Sequence, residues 1–257
     1  MKNTTKSLMF FSALVAAVVG DSLNANAALL SLNLYNTGAT TTKWDAPVQV
    51  LANVPTPTNP PVDLHYTVPV KAGVSQPIAP GNRAYNASSA SATALGYAQD
   101  PTKSLWIGVL ASGIGNNVAP GTYIYQTTFT LAQATQGQIA GKISSDNAIF
   151  AIRINGVYVA GTAASTATSN PWYPAGSGAN ASYLKFKTYN FLNVSMKAGE
   201  NTIQFYGDNN ALSKTGINNI FTTANAVVPE PSTFALLGLG IAGMAVAGYR
   251  RRRAVAV

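Results

Sequence analysis

The chain has a single histidine, His65, and an acid, Asp63, stands two residues before it. Side chains on a β-strand alternate between faces, so positions 63 and 65 would share one. An imidazole beside a carboxylate is the minimum for general acid–base work, and any Ser-His-Asp arrangement here would have to use this histidine. No Gly-x-Ser-x-Gly elbow accompanies it, and two residues of one strand seldom set acid and base at the required angle. His65 therefore reads as a hydrogen-bonded structural side chain, and the expectation is a protein with no catalytic residue.

Glycoside cleavage would need two carboxylates facing one cleft. Away from the chain ends the acids are Asp45, Asp63, Asp100, Asp146, Glu200 and Asp208, and most stand in apparent turns. A secreted hydrolase thus ranks third among the function classes. Asp146-Asn147 and Asp208-Asn209-Asn210 offer hard oxygen ligands, which makes Asp146 and Asp208 the candidates for one structural calcium; no spaced loop of alternating acids supports it. Asn and Asp also serve turns in their own right, because they tolerate left-handed backbone and cap it. No other metal or cofactor is expected. Among the tryptophans, Trp106 lies in an apolar strand and reads as core, whereas Trp172, between Pro171 and Pro174, is the candidate ligand contact. The absence of cysteine excludes a thiolate nucleophile or metal site and leaves stability to the apolar core.

The elements that must carry these residues are strands. Tyr123, Tyr125, Thr127, Phe129 and Leu131 alternate with Thr122, Ile124, Gln126, Thr128 and Thr130, a period of two that no amphipathic helix has. Ala148, Phe150, Ile152 and Ile154 form a second inward face. Asn155-Gly156 follows, then Val157-Tyr158-Val159, which predicts a hairpin on a type I′ turn. Further strands are predicted at 29–35, 48–54, 64–70, 105–109, 138–143, 183–186, 191–196, 202–206 and 217–222. Residues 55–61, 84–94 and 161–181 read as surface loops. Many short strands with Gly, Pro and Asn punctuation predict an all-β, single antiparallel β-sandwich of jelly-roll type, spanning residues 28–222.

Both ends are addresses. Lys2 and Lys6 precede an apolar stretch at 8–20, which predicts a signal helix within a signal peptide of residues 1–27. Ala25 and Ala27 supply the small residues that signal peptidase inspects. Residues 223–228 read as a tether. After them come Pro229-Glu230-Pro231, an apolar run at 234–249, and Arg250, Arg251, Arg252 and Arg253. The two prolines fix their own φ near −65° and hold their neighbours extended, giving a stiff strip with one charge. The apolar run has 16 residues, at or just below the roughly 17–25 that cross a bilayer core, so it predicts a short transmembrane helix. Four arginines then act as a cytoplasmic stop. Without these ends the chain keeps ten basic and six acidic residues, no footprint for nucleic acid.

This C-terminal layout closely resembles the PEP-CTERM signal of Gram-negative bacteria that make extracellular polysaccharide. The resemblance implies a membrane-embedded exosortase that reads Pro229-Glu230-Pro231, transient residence in the inner membrane, and release or attachment at the cell surface, over residues 229–253. The body resembles a sandwich ectodomain recurrent among such proteins. The residues that carry this are Leu34-Tyr35-Asn36-Thr37-Gly38, Asp63-Leu64-His65-Tyr66-Thr67-Val68, Leu105-Trp106-Ile107-Gly108, Gly121-Thr122-Tyr123-Ile124-Tyr125, Asp146-Asn147, Ile154-Asn155-Gly156 and Ala198-Gly199-Glu200-Asn201-Thr202-Ile203. The last of these is similar to a turn in galactose-binding-like jelly rolls. Two expectations follow: a non-catalytic protein of the biofilm matrix acting in adhesion or packing, or a lectin-like binder of exopolysaccharide.

Overall fold

The structure is a computed structural model that describes residues 28–39, 43–45, 62–69, 83–87, 89–110, 114, 118–159, 183–209, 212–228 and 240–245. Expectations for Ala25, Ala27, Trp172, Pro229-Glu230-Pro231, Arg250–Arg253 and the segments 48–54, 55–61 and 161–181 fall outside these residues. The chain divides into a large unit, Ser31–Ala226, and a small one made of Met1–Leu30 and Val227–Val257. In the small unit residues 240–245, within the apolar run, are helical. No helix among the described residues is long and apolar enough to cross a membrane.

The strands, in chain order, are β1 (Ala28–Ser31), β2 (Val62–Thr67), β3 (Arg83–Asn86), β4 (Ile107–Gly108), β5 (Gly121–Leu131), β6 (Thr135–Asp146), β7 (Ile149–Ile154), β8 (Val157–Tyr158), β9 (Lys187–Met196), β10 (Gly199–Asn209) and β11 (Gly216–Val228), with one short helix, α1 (Ser89–Ala94). Ladder pairing runs β8-β7-β10-β5-β2-β3-β4-β11-β6-β9. The pairs with a given register are antiparallel. This path folds over on itself. Tyr189 of β9 and Phe205 of β10 lie far apart along it, yet their rings sit 6.4 Å apart. One apolar core draws on both halves: Tyr123, Tyr125, Phe129, Ile152, Ile203 and Phe205 from one, Ile139, Ile143, Tyr189, Phe191, Ile217 and Phe221 from the other. The architecture is the open antiparallel sandwich that the alternation predicts. Each large side chain fully buried there contributes about 1.5–3 kcal/mol.

The alternation in β5 holds along its whole predicted face, where Tyr123, Tyr125, Thr127, Phe129 and Leu131 are all buried. The Asn155-Gly156 turn has φ of 52° and 80° and sets Ile154 opposite Val157. Other segments differ from the sequence reading. Residues 84–94 are not a loop but β3 followed by α1. Ala84 and Asn86 face inward and are buried, while alanine's high helix propensity starts a helix whose Ala92 packs beside Tyr97 and Trp106. Residues 223–228 are not a tether, because β11 runs on to Val228. Ala224 and Ala226 alternate inward and are fully buried, and Ala226 pairs with Gly137. Side chains that small hide the period of two from a hydrophobicity reading. Residues 183–186 carry no strand; β9 begins at Lys187.

Gly38 and Gly156 both require left-handed backbone, at φ +77° and +80°, but their surroundings differ. A Cβ on Gly38 would stand 2.6 Å from Leu105 Cβ, whereas one on Gly156 would meet open space. Gly156→Ala should cost about 1–2 kcal/mol, the ordinary penalty of a left-handed L-residue. Gly38→Ala adds overpacking of about 1–3 kcal/mol. Urea unfolding of both variants checks the order, with the Gly38 variant the less stable.

Candidate functional site

Asp63 and His65 do not form a pair. Asp63 is buried, and its side chain serves the backbone: Oδ1 accepts the N–H groups of His65 at 2.8 Å and Tyr66 at 2.9 Å, and Oδ2 accepts that of Gly38 at 2.6 Å. An irregularity in the β2–β3 register turns the strand here, so that Tyr66 rather than His65 shares the interior with Asp63. The His65 imidazole lies half-buried and parallel on the Tyr35 ring, centroids 3.5 Å apart. A carboxylate occupied by three amides is poorly placed to orient an imidazole, which a triad acid must do.

Of the calcium candidates, Asp146 is tied into the fold by its carboxylate and Asp208 by its backbone. Asp146, at the end of β6, accepts the Tyr97 hydroxyl. Asn147 Nδ2 donates to Asn209 Oδ1 at 2.7 Å, Ser213 Oγ donates to the same oxygen at 2.7 Å, and Asn209 Nδ2 donates to the Val118 and Ala119 carbonyls. The Asp208 N–H donates to Ala148 O. These bonds fasten the β6–β7 connection to β10 and the segment before β5. No group of three or more His, Cys, Asp or Glu poised to hold a metal exists among the described residues. Trp106 is core, as expected, and its Nε1 donates to Ala98 O at 2.9 Å.

A feature absent from the sequence reading lies on the outward face of the β8-β7-β10-β5-β2 half. Tyr158, Arg153, Gln204, Gln126 and Thr67 are successive cross-strand partners. Tyr158 and Thr67 are exposed and Arg153, Gln204 and Gln126 are part-buried, so the five form one row on the face turned away from the large core. The Arg153 guanidinium sits over the rings of Tyr158 at 4.0 Å and Tyr206 at 4.7 Å, and donates to the Tyr158 hydroxyl. Tyr206 donates to Gln204 Oε1 at 3.1 Å, and Gln204 Nε2 to Gln126 Oε1 at 2.8 Å. The polar alternation of β10 and of most of β5 was visible in the sequence; the alignment of Gln204 and Gln126 with Arg153, the one polar residue of β7, was not.

The comparisons with known proteins bear on the ends and the body separately. Residues 227–253 match the PEP-CTERM protein-sorting motif. The chain therefore carries an export and sorting address that implies exosortase processing and a destination at the cell surface or outside it. A family 35 carbohydrate binding module from an environmental isolate is similar to part of this chain, with 16% identity, a TM-score of 0.24, and coverage of 42% of this chain and 74% of that one. No curated protein matches the chain.

Burial shapes the acid titration. It raises the Asp63 carboxyl to about 6, outweighing the stabilising N–H groups of His65, Gly38 and Tyr66. Burial raises Asp146 and Asp208 as well. For Asp100 the burial effect is outweighed by the Thr102 hydroxyl and the Lys142 ammonium, and its carboxyl is lowered. The folded chain thus holds the Asp63 proton to higher pH than the unfolded chain does. Stability associated with Asp63 is greatest below about pH 4 and falls by about 3 kcal/mol as pH rises to about 6. Thermal unfolding of the wild type should give a higher midpoint at pH 4 than at pH 7, and Asp63→Asn should shrink that difference. A wild-type midpoint that rises from pH 4 to pH 7 would contradict the assignment.

Proposed function

We propose that this protein is a non-catalytic surface or extracellular-matrix component, carried out by a signal peptide of residues 1–27, processed by exosortase at Pro229-Glu230-Pro231, and active through its sandwich in matrix adhesion or packing. The sorting motif over residues 227–253 carries this reading. The body supports it from another side, since Asp63 is committed to backbone amides and His65 to an aromatic stack. A low proportion of charged residues, 9%, leaves a surface rich in uncharged amides and hydroxyls, suited to dense packing outside the cell. In this reading the apolar run is a temporary stop and Arg250–Arg253 hold the end in the cytoplasm, because each arginine at the bilayer centre costs about 2.5–3.5 kcal/mol on insertion scales.

Replacing Pro229, Glu230 and Pro231 together by alanine should abolish processing, and the protein should accumulate in the inner membrane with Arg250–Arg253 attached. Mass spectrometry of the C-terminus in both strains reads the result. If the surface-exposed wild type still ends beyond Arg253, or if the triple variant is cut as usual, the run is an ordinary anchor and the proposal fails.

A further inference from the structure

We propose that the row Tyr158–Arg153–Gln204–Gln126–Thr67 is a binding platform for an acidic polysaccharide whose sugars carry carboxylates. The inference rests on the surface-protein reading and gives its sandwich a ligand class and a site. Five strands spaced about 4.8 Å apart make a row about 19 Å long, which suits an extended chain rather than a compact ligand. The row holds one cation and no acid. Arg153 belongs to no ion pair among the described residues, in which Lys103 and Lys142 pair with Asp100. A guanidinium left without a carboxylate partner, and fixed over two ring faces, is prepared for an external one, since its planar fork matches a carboxylate in bidentate fashion.

The rest of the row fits sugar rather than another polyanion. A nucleic acid or polyphosphate presents a dense line of charge and selects several cations. Here a single cation is followed by two amides and a threonine hydroxyl, which are donors and acceptors for hydroxyl groups. Tyr158 is exposed at the edge of the sheet, with a ring face for the C–H side of a sugar and a hydroxyl for its rim. The amides are also preorganised. The relay from Tyr206 through Gln204 to Gln126 fixes their rotamers before any ligand arrives, which lowers the ordering cost of binding.

Affinity electrophoresis of the full-length chain, solubilised in a nonionic detergent, through gels containing polygalacturonate tests the platform. Retardation is expected, with fully methyl-esterified polygalacturonate giving none. Arg153→Gln should weaken it about tenfold, the loss expected for one charge-assisted hydrogen bond. Lys185→Gln removes the same charge outside the row, just before β9, and should migrate as the wild type. Should Arg153→Gln fail to fold by circular dichroism, Gln126→Ala takes its place, with several-fold weaker retardation expected. No retardation, equal loss in the Arg153 and Lys185 variants, equal retardation by the ester, or wild-type behaviour of a folded Gln126→Ala protein would each overturn the proposal. All four outcomes are independent of C-terminal processing, so they leave the sorting reading to its own test.

Discussion

The sandwich depends on a buried polar seam along β11. Thr37 sits between β11 and the strand-like segment at Leu105, with all its hydrogen-bonding groups engaged. Its N–H donates to Asn219 O, its carbonyl accepts from Leu105 N–H, and its hydroxyl donates to Leu105 O while accepting from Asn219 N–H. Asn36 Oδ1 accepts the Phe221 N–H, next to the point where the β11–β6 register slips. The Asn219 side chain then reaches across the core, donating to the Tyr66 hydroxyl of β2 and accepting from that of Tyr189 on β9. Each such bond adds only about 0.5–1.5 kcal/mol net, but an unmade one costs about 1–3 kcal/mol. The seam therefore works chiefly by excluding other registers.

Without disulfides and with few charges, this chain uses short amides where other exported domains use cross-links. Asn155 and Asn201 show the pattern at the far end of the sandwich. Asn201 accepts from Lys197 N–H and donates to the Lys197 and Gly199 carbonyls, closing the β9–β10 turn. Asn155 donates to Asn201 Oδ1 and accepts the Thr202 N–H, fastening the β7–β8 turn to it. The Asn147–Asn209 pair does the same between the β6–β7 connection and β10. Asp63, which first suggests catalysis, has its carboxylate taken up by backbone amides. Amides that satisfy buried backbone groups permit close packing of strands and loops that no apolar side chain could finish.

The two faces of the β5 half divide the labour. The inner face fills the core with rings and branched chains, while the outer face carries the aligned arginine and amides. One strand period of two generates both. A sorting address that delivers the domain outside the cell and a face rich in uncharged donors belong to the same physical setting, in which long-range charge is screened and short polar contacts decide.

How much of this was legible depended on how local the signal was. The sorting motif is contiguous, so its residues and spacing are complete in the sequence. The β5 alternation and the Asn155-Gly156 turn were equally plain, because large side chains mark the period and a two-residue turn fixes its own backbone. Residues 223–228 and 84–94 were misread because alanine, serine and asparagine carry no strong hydrophobic signal, and pairing with neighbouring strands decided their form. Asp63 and His65 looked like partners under strict alternation; the register irregularity in β2 separated them. Of the Arg153 row only the Arg153–Tyr158 end followed from the Asn155-Gly156 turn, since Gln204, Gln126 and Thr67 come from strands far apart in the chain, and only ladder register brings them into line.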